Sequence, residues 1–545
     1  MNFSRIGLQK ISNRLKKQVV TTLVLKAPTM KNDIGLLSLS ALRPADLIGK
    51  TIFIRADFNV PLGPHKGYYR VADDTRIRRF LDSTFSKIHE LTDGNCRIII
   101  GSHLGRPHKM KDYAGWDGVF NIQFVCSHFD TLIREKYEDT YTIFPPEIID
   151  SQLKSSLEIF EHNRFPLGGI KFLPNLRYLL DPANPDAYRL EFIEQLGKVA
   201  DVYVNCAFGC SHRITRSIGM LPQIMRKEEK LVVAGILLYE EIQKLGQFGR
   251  STMANPKKTV VVAGGAKVAD KINILKQFVQ TQIKSIFIGG KMVNAFLLAR
   301  DRFSPEIPFT ANNLPKKLLS HDAEKNQDLL NEIKSAGEIL NMAKEHKVEI
   351  IFPVDYKVAA NFDDPSYIIK EYPDLEREFQ LDLGPKTIQA FTETILHENV
   401  RNVFWNGPLG AYDHPHCPSY AEGSMELAKL LFGGAILNED LQVVIGGGDS
   451  AAILNKVSMD EMKLIIKTQI EKQLASPINR SLVSVDFKES DCYTLWNYFT
   501  SNFFVSTGGG AALVFLEKFL SRNGADDLAS YLPGSATLME LCTLR

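Results

Sequence analysis

From about Gly49 the chain alternates short, β-rich apolar runs with longer stretches of helical character. Four such runs fall in the first half: TIFIRADFNV (51–60), CRIIIGS (96–102), GIKFLPNLR (169–177) and VADVYVNCAFG (199–209). Six follow in the second: KKTVVVAGG (257–265), SIFIGG (285–290), VEIIFPVD (348–355), RNVFWNGP (401–408), LQVVIGGGD (441–449) and NFFVSTGGG (502–510). Strands that alternate with helices build parallel sheets, so the pattern predicts α/β domains. The rhythm divides near residues 220–245, where LLYEEIQKLGQF reads as a helix bridging two halves. At 545 residues the chain exceeds what one core accommodates, which also favours two large domains.

In open parallel sheets, ligands sit at the carboxyl ends of the strands. In the first half those ends are basic: Arg55, Arg76 in DDTRIRR, His103 and Arg106 in SHLGRP, Arg177 in NLR, and Arg213. Guanidinium groups bind phosphate and carboxylate bidentately, so this edge suits a small, highly anionic ligand. In the second half the ends are glycine-rich instead: GGAK, IGGK, WNGPLG, IGGGDSAA and STGGGAA. Glycine lets backbone N–H groups approach phosphates, and a following helix N-terminus favours anions. None fits the Walker A or the dinucleotide glycine pattern. Lys267 and Lys271, spaced i, i+4, are expected on one face of a helix after GGAK. Asp449 stands at an expected helix start, as an N-cap or as a carboxylate for Mg²⁺. A polyanion site in one half and a nucleotide-phosphate site in the other suit phosphoryl transfer across a closing cleft.

Composition narrows the picture by exclusion. Hydrophobic residues make up 44% and charged residues 23%, with a net charge of +2. No apolar run approaches the ~18 residues of a membrane span. That charge gives no global reason to expect nucleic acid or a membrane, and TRIRR and SHLGRP lack the aromatics that single-strand binding uses. The seven cysteines are odd in number and scattered, which fits a reducing compartment. In VNCAFGCSHR (204–213), Cys206, Cys210 and His212 invite a metal, redox or nucleophile reading, as do His414, His416 and Cys417 of HPHC. Neither group has a second ligand pair at recognisable spacing, so both read as loops.

RADFNVPL, DDTRIR, SHLGRP, NLR, the ADVYVN and AFG segments, GGAKVADKI, LDLGPKT, WNGP, GGGDSAA, STGGGA and LPG (532–534) occur in one order between about Gly49 and Gly534. That order resembles the phosphoglycerate kinase family. The resemblance implies an α/β fold of two Rossmann-like domains with parallel sheets joined by a hinge. It implies phosphoryl transfer between 1,3-bisphosphoglycerate and ADP, giving 3-phosphoglycerate and ATP with Mg²⁺. On matching positions, Asp57 and Asn59 bind the triose, and Arg76, His103, Arg106, Arg177 and Arg213 form its basic patch. Arg76 and Lys267 stabilise the transferring group, Lys271 holds nucleotide phosphates, and Asn406 and Pro408 line the nucleotide site. Gly447, Gly448, Asp449 and Ser450 form the phosphate loop, with Asp449 on Mg²⁺. Asp413 takes the ribose-contacting position. The partners implied are small molecules only, and the chain is expected to be a monomer.

The sequence departs from the family at several points. Pro174, Cys206 and Thr215 replace a Glu, an Asp and a His, with Arg216 beside the last as a candidate substitute. Lys291 replaces a glycine, Asp413 is one methylene shorter than the usual Glu, and Val514 replaces another Glu. Arg76, Lys267 and Asp449 remain, so the expectation is an active enzyme; the alternative is a weak or inactive homologue with a binding role. The expected division is a basic extension (1–45), a triose-binding domain (46–230), a nucleotide-binding domain (231–530) and a tail (531–545) returning to the first domain. Residues 457–501 form an insertion whose Met462, Ile466, Ile470 and Leu474 would line a helix face. The first 32 residues carry seven Lys or Arg and no acid. They read either as an organellar transit peptide or as a solvated tail, leaving an organellar matrix and the cytoplasm both open.

Overall fold

A computed structural model describes residues 34–542 other than 66–67, 107–119, 147–164, 178–186, 303–322, 372–377, 398, 439, 455, 458–459, 462–463, 466–467, 469–501 and 525–527. Residues 1–32 and the proposed face of the insertion therefore lie outside the described residues. The first half holds β1 (Thr51–Arg55), β2 (Leu62–His65), β3 (Tyr68–Val71), β4 (Arg97–Gly101), β5 (Thr142–Phe144), β6 (Gly169–Phe172), β7 (Val202–Asn205) and β8 (Leu231–Ala234). The second holds β9 (Thr259–Ala263), β10 (Ser285–Ile288), β11 (Glu349–Ile351), β12 (Tyr356–Ala359), β13 (Ile368–Lys370), β14 (Phe379–Leu383), β15 (Asn402–Asn406), β16 (Gln442–Gly446) and β17 (Phe503–Ser506).

Two six-stranded sheets follow, in the orders β5-β6-β4-β1-β7-β8 and β11-β10-β9-β15-β16-β17. Every pairing within them is parallel. Residues of β1, β9 and β15 are buried without alternation, as strands covered by helices on both faces must be. The expected α/β class and its parallel sheets are therefore present. A smaller antiparallel sheet, β13-β12-β14, and the β2-β3 hairpin were not among the expected runs. Their strands are three to five residues long, too short to carry a hydrophobic period.

The helix Ile236–Ala254 joins the halves. It buries Leu238, Ile242, Leu245 and Phe248, one helical stripe, in a core that also holds Phe53 and Tyr203 of the first sheet and Val261 and Ile286 of the second. Gly249 lets the helix Gly510–Ser521 pack closely, since a Cβ there would lie 2.5 Å from the Phe519 ring.

Two features lie at the expected domain bounds. β8 pairs with β7, so the first sheet extends past residue 230 to Ala234. Ile34 and Leu36 are buried in the core and Leu37 accepts a bond from Ala234 N at 2.8 Å, so residues from 34 onward pack on that edge strand. The last helix, Pro533–Cys542, packs against β8 and the helix Leu221–Lys227, and Gly534 N bonds Ser211 O at 2.9 Å.

Candidate active site

Because β6, β4, β1 and β7 are neighbours, the loops after them meet along one edge. Short polar bonds fix that edge. Ser102 Oγ accepts from Phe58 N at 2.8 Å, and Asn59 Oδ1 accepts from Gly105 N at 2.8 Å. The buried Asn175 amide donates to Leu104 O and Phe120 O and accepts from Leu104 N. Arg177 donates to the Gly105 carbonyl. Asn59 and Arg177 thus shape the loop after β4 as well as facing the site.

Asp57 pairs with Arg76 at 3.0 Å. Burial alone would raise the Asp57 pKa, but the charges of Arg76 and Arg55 outweigh it and hold the group below the usual carboxylate range. His103 is pushed down to about 3 by burial, and Arg55, Arg177 and Arg76 add to the effect. Its 3.9 Å approach to Asp57 is therefore not an ion pair at neutral pH. Burial and the charges of Arg106, Arg213 and Arg55 depress Arg177, so these cations share one field, with Arg106 and Arg213 exposed.

Arg55 departs from the expectation of a ligand-facing edge residue. It is 4% exposed, donates to Ser217 Oγ at 3.2 Å and to the Ala56 carbonyl, and sets Nη2 3.5 Å from both His103 Nδ1 and Cys210 Sγ. It is buried because it lies within β1, paired on both sides.

On the second sheet the glycine loops are stitched by backbone bonds. Gly264 N bonds Asn406 O, Gly265 N bonds Pro408 O, Gly290 N bonds Leu409 O and Met292 N bonds Gly265 O. A Cβ on Gly264 would lie 2.3 Å from Pro408 O, so only glycine fits there. Asn406 is buried and donates to Gly446 O at 2.8 Å; Ser450 Oγ accepts from Gly407 N at 2.8 Å. Asn406, Pro408 and Ser450 therefore hold the three loops in register.

Lys267 and Lys271 do not share a helix. The helix begins at Ile272, with Lys271 as its N-cap residue, and 264–271 is loop. Glu332 faces this loop, where burial raises its pKa against the Lys267 charge. Lys267 is exposed; Lys271 is half-buried, depressed by burial, within the fields of Asp270 and Asp449. Asp449 lies in the first turn of Gly448–Leu454 rather than at its cap. Its exposed carboxylate accepts from Tyr412 Oη at 3.1 Å. Gly447 has φ +101, and Asp413 is exposed.

Arg76 joins the two edges. Besides Asp57 it donates to Thr507 O at 2.9 Å, and a Cβ on Gly448 would lie 3.9 Å from its Nη2. Three groups that sequence reasoning missed lie close by: Glu332, Tyr412 and Glu241, which accepts from Thr507 N at 2.9 Å. Their partners are 37 to 266 positions away along the chain, so no local pattern marks them.

The phosphoglycerate kinase family model matches residues 42–471. The chain belongs to the phosphoglycerate kinase family. The phosphoglycerate kinase of a Nitratiruptor species is 30% identical over 422 residues, 76% of this chain and 90% of that one. That of Gloeobacter violaceus is 31% identical over 427 residues, covering 77% and 91%. The cytosolic phosphoglycerate kinase of Triticum aestivum is 28% identical over 434 residues, covering 79% and 93%. Solved phosphoglycerate kinases from Coxiella burnetii (24% identity, TM-score 0.57, 94% of this chain and all of that one) and Pyrococcus horikoshii OT3 (22%, 0.59, 90% and 98%) share the fold.

The residues that the sequence reading marks as departures lie as follows. Cys206 is buried, bonds Thr84 Oγ1 at 3.4 Å and is pushed up to about 12 by burial, so it is an inert thiol. Thr215 meets Ser217 Oγ at 3.3 Å, while the buried Nη1 of Arg216 has no hydrogen-bond partner among the described residues. Lys291 is exposed, and Val514 packs on the core. His414 contacts Phe362 O at 2.7 Å and Cys417 donates to Pro365 O at 3.3 Å, in keeping with a structural loop.

Proposed function

We propose that this chain catalyses reversible phosphoryl transfer between 1,3-bisphosphoglycerate and ADP. In the direction from ATP, a carboxylate oxygen of 3-phosphoglycerate forms the new bond to the γ-phosphorus as the bond to ADP breaks. Arg106, Arg177 and Arg213 bind the triose anions, and His103, kept neutral, offers them a hydrogen bond rather than a charge. Arg76 and Lys267 stabilise the negative charge spread over the transferring group, and Lys271 with the loop 447–450 cradles nucleotide phosphates. Asp449 presents an exposed oxygen donor, the hard ligand that suits Mg²⁺, and would hold it. Bound there, Mg²⁺ neutralises charge between nucleotide phosphates.

The observation that carries this reading is Arg76, one guanidinium between Asp57 on the triose side and Thr507 and Gly448 on the nucleotide side. Purified protein given ATP, Mg²⁺ and 3-phosphoglycerate should turn over in a coupled assay. Absence of turnover at high enzyme concentration would overturn it. That result would favour the second reading, an inactive homologue, which the inert thiol of Cys206 and the unbonded Nη1 of Arg216 support. Calorimetry with ATP then separates a blocked nucleotide site from a slow one.

A further inference from the structure

The loops after β1, β4 and β7 bring together a set of ligating atoms that phosphoryl transfer does not use as a unit. One carboxylate oxygen of Asp57, one ring nitrogen of His103 and the sulfur of Cys210 all lie within 4.8 Å of one another. Cys210 Sγ is 3.5 Å from His103 Nδ1, and Asp57 Oδ1 is 3.9 Å from the same nitrogen. Donors held ~2.0–2.3 Å from one tetrahedral Zn²⁺ stand roughly 3.3–3.7 Å apart. The sulfur–nitrogen pair already has that spacing, and the carboxylate oxygen, 3.9 Å from the nitrogen, has to close by at least about half an ångström. Asp57 Oδ1 is buried and receives no hydrogen bond from the described residues; its contact with Arg76 is ionic only.

We propose that Asp57, His103 and Cys210 form a binding site for a thiophilic divalent cation, Zn²⁺ by its donor set, whose occupancy excludes the triose. A thiolate, an imidazole and one carboxylate suit zinc and not magnesium. Binding breaks the Cys210 S–H bond and forms S–Zn, and the proton leaves to solvent. The carboxylate and thiolate together cancel the ion's two charges. Arg55 loses its contacts with the sulfur and the ring but keeps those to Ser217 and Ala56. The occupied site carries one unit more positive charge than the empty one, beside Arg55, Arg76 and Arg177. That repulsion keeps it weaker than a closed four-ligand zinc centre, so occupancy is reversible. Cys206, which sequence alone groups with Cys210, bonds Thr84 and takes no part.

The metal site stands independently of the proposed activity; only its inhibitory effect rests on that reading. Untagged full-length protein is titrated with Zn²⁺ against a chromophoric chelator, and with Co²⁺ while thiolate-to-cobalt charge-transfer absorption is recorded. One ion per chain and a charge-transfer band are expected. Cys210→Thr and Cys210→Ala should both weaken binding at least tenfold and abolish the band, whereas Cys206→Ser should change neither. A cobalt spectrum without the band, or binding unchanged in both Cys210 variants, overturns the site whether or not the chain is an active kinase. In the coupled assay with excess Mg²⁺, Zn²⁺ should inhibit competitively with 3-phosphoglycerate and not with ATP, and Cys210→Thr should keep activity and lose the sensitivity. Inhibition that persists unchanged in Cys210→Thr overturns the exclusion of triose.

Discussion

Lys267 leaves the loop after β9 with an exposed ammonium, and the carboxylate of Glu332 lies within its field, against the same loop. A cation that meets charge developing in the transition state acts mainly on kcat, and losing one such group costs about 10²–10³-fold. Lys267→Ala should therefore lower kcat by that order, with the KM for 3-phosphoglycerate changed less than about threefold, as steady-state assays would read. Glu332 acts through the loop and not on substrate. Glu332→Ala removes the side chain that faces the loop and should lower kcat by roughly tenfold, while Glu332→Gln, which keeps its size and one carbonyl oxygen, should recover most of it. Equal losses in both variants would mean that the charge matters rather than the contact. Lys267 was legible in the sequence because it sits in a long ordered motif beside a strand end. Glu332 was not, because it lies 65 positions on, in a helix whose sequence gives no sign of what it touches. Arg55 shows the reverse error: the strand-end pattern marked it as ligand-facing, but its place inside β1 buries it.

At the scale of elements, the strand runs named all of the second sheet and β1, β4, β6 and β7 of the first, though not its edge strands β5 and β8, because a strand covered on both faces is apolar along its whole length. Loop geometry was less legible. The i, i+4 spacing of Lys267 and Lys271 suggested a helix, but the chain leaves the close stacking of Gly264, Gly290 and Gly407 as a loop and turns helical only at Ile272. The stack would shape the side proposed for the nucleotide, and Gly264 and Gly407 are its tightest points. A methyl on Gly264 would press on the carbonyls of Pro408 and Gly407 at 2.3 and 2.7 Å, both backbone atoms that cannot swing aside. Gly264→Ala is expected to weaken ATP binding at least tenfold by calorimetry and to lower the melting temperature by several degrees. Unchanged ATP affinity would show that the stack does not set the nucleotide site.

For the whole molecule, the decisive contacts lie where the helix Thr75–Phe80 of the first half grips the end of β17. Arg76 donates to Thr507 O and Arg79 to Val505 O at 3.0 Å. Beneath them, burial pushes Glu241 on the joining helix up to about 7, with the Arg79 charge opposing the rise. The folded-state pKa lies above the ordinary value of 4.5, so the folded chain holds this proton more tightly. The stability that follows is fully present below about 4.5 and is lost as pH rises toward 7, by up to about 3 kcal/mol. Glu241→Gln keeps an acceptor for Thr507 N and removes the ionisation. Its stability, measured by denaturant unfolding between pH 5 and 8, should fall less with pH than that of the unsubstituted chain. Arg79→Ala tests the same junction from the other side without touching the phosphoryl site. It removes one bond between the halves, about 1 kcal/mol, and the charge that keeps Glu241 from rising further. Small-angle scattering should then give a larger radius of gyration with unchanged far-ultraviolet dichroism. The pH-dependent loss of stability should also shift upward in pH, because a more weakly acidic Glu241 gives up its proton later. If both the radius and the pH profile match the unsubstituted chain, Arg79 does not hold the two halves together, and Arg76 with the shared core around Phe248 does so alone.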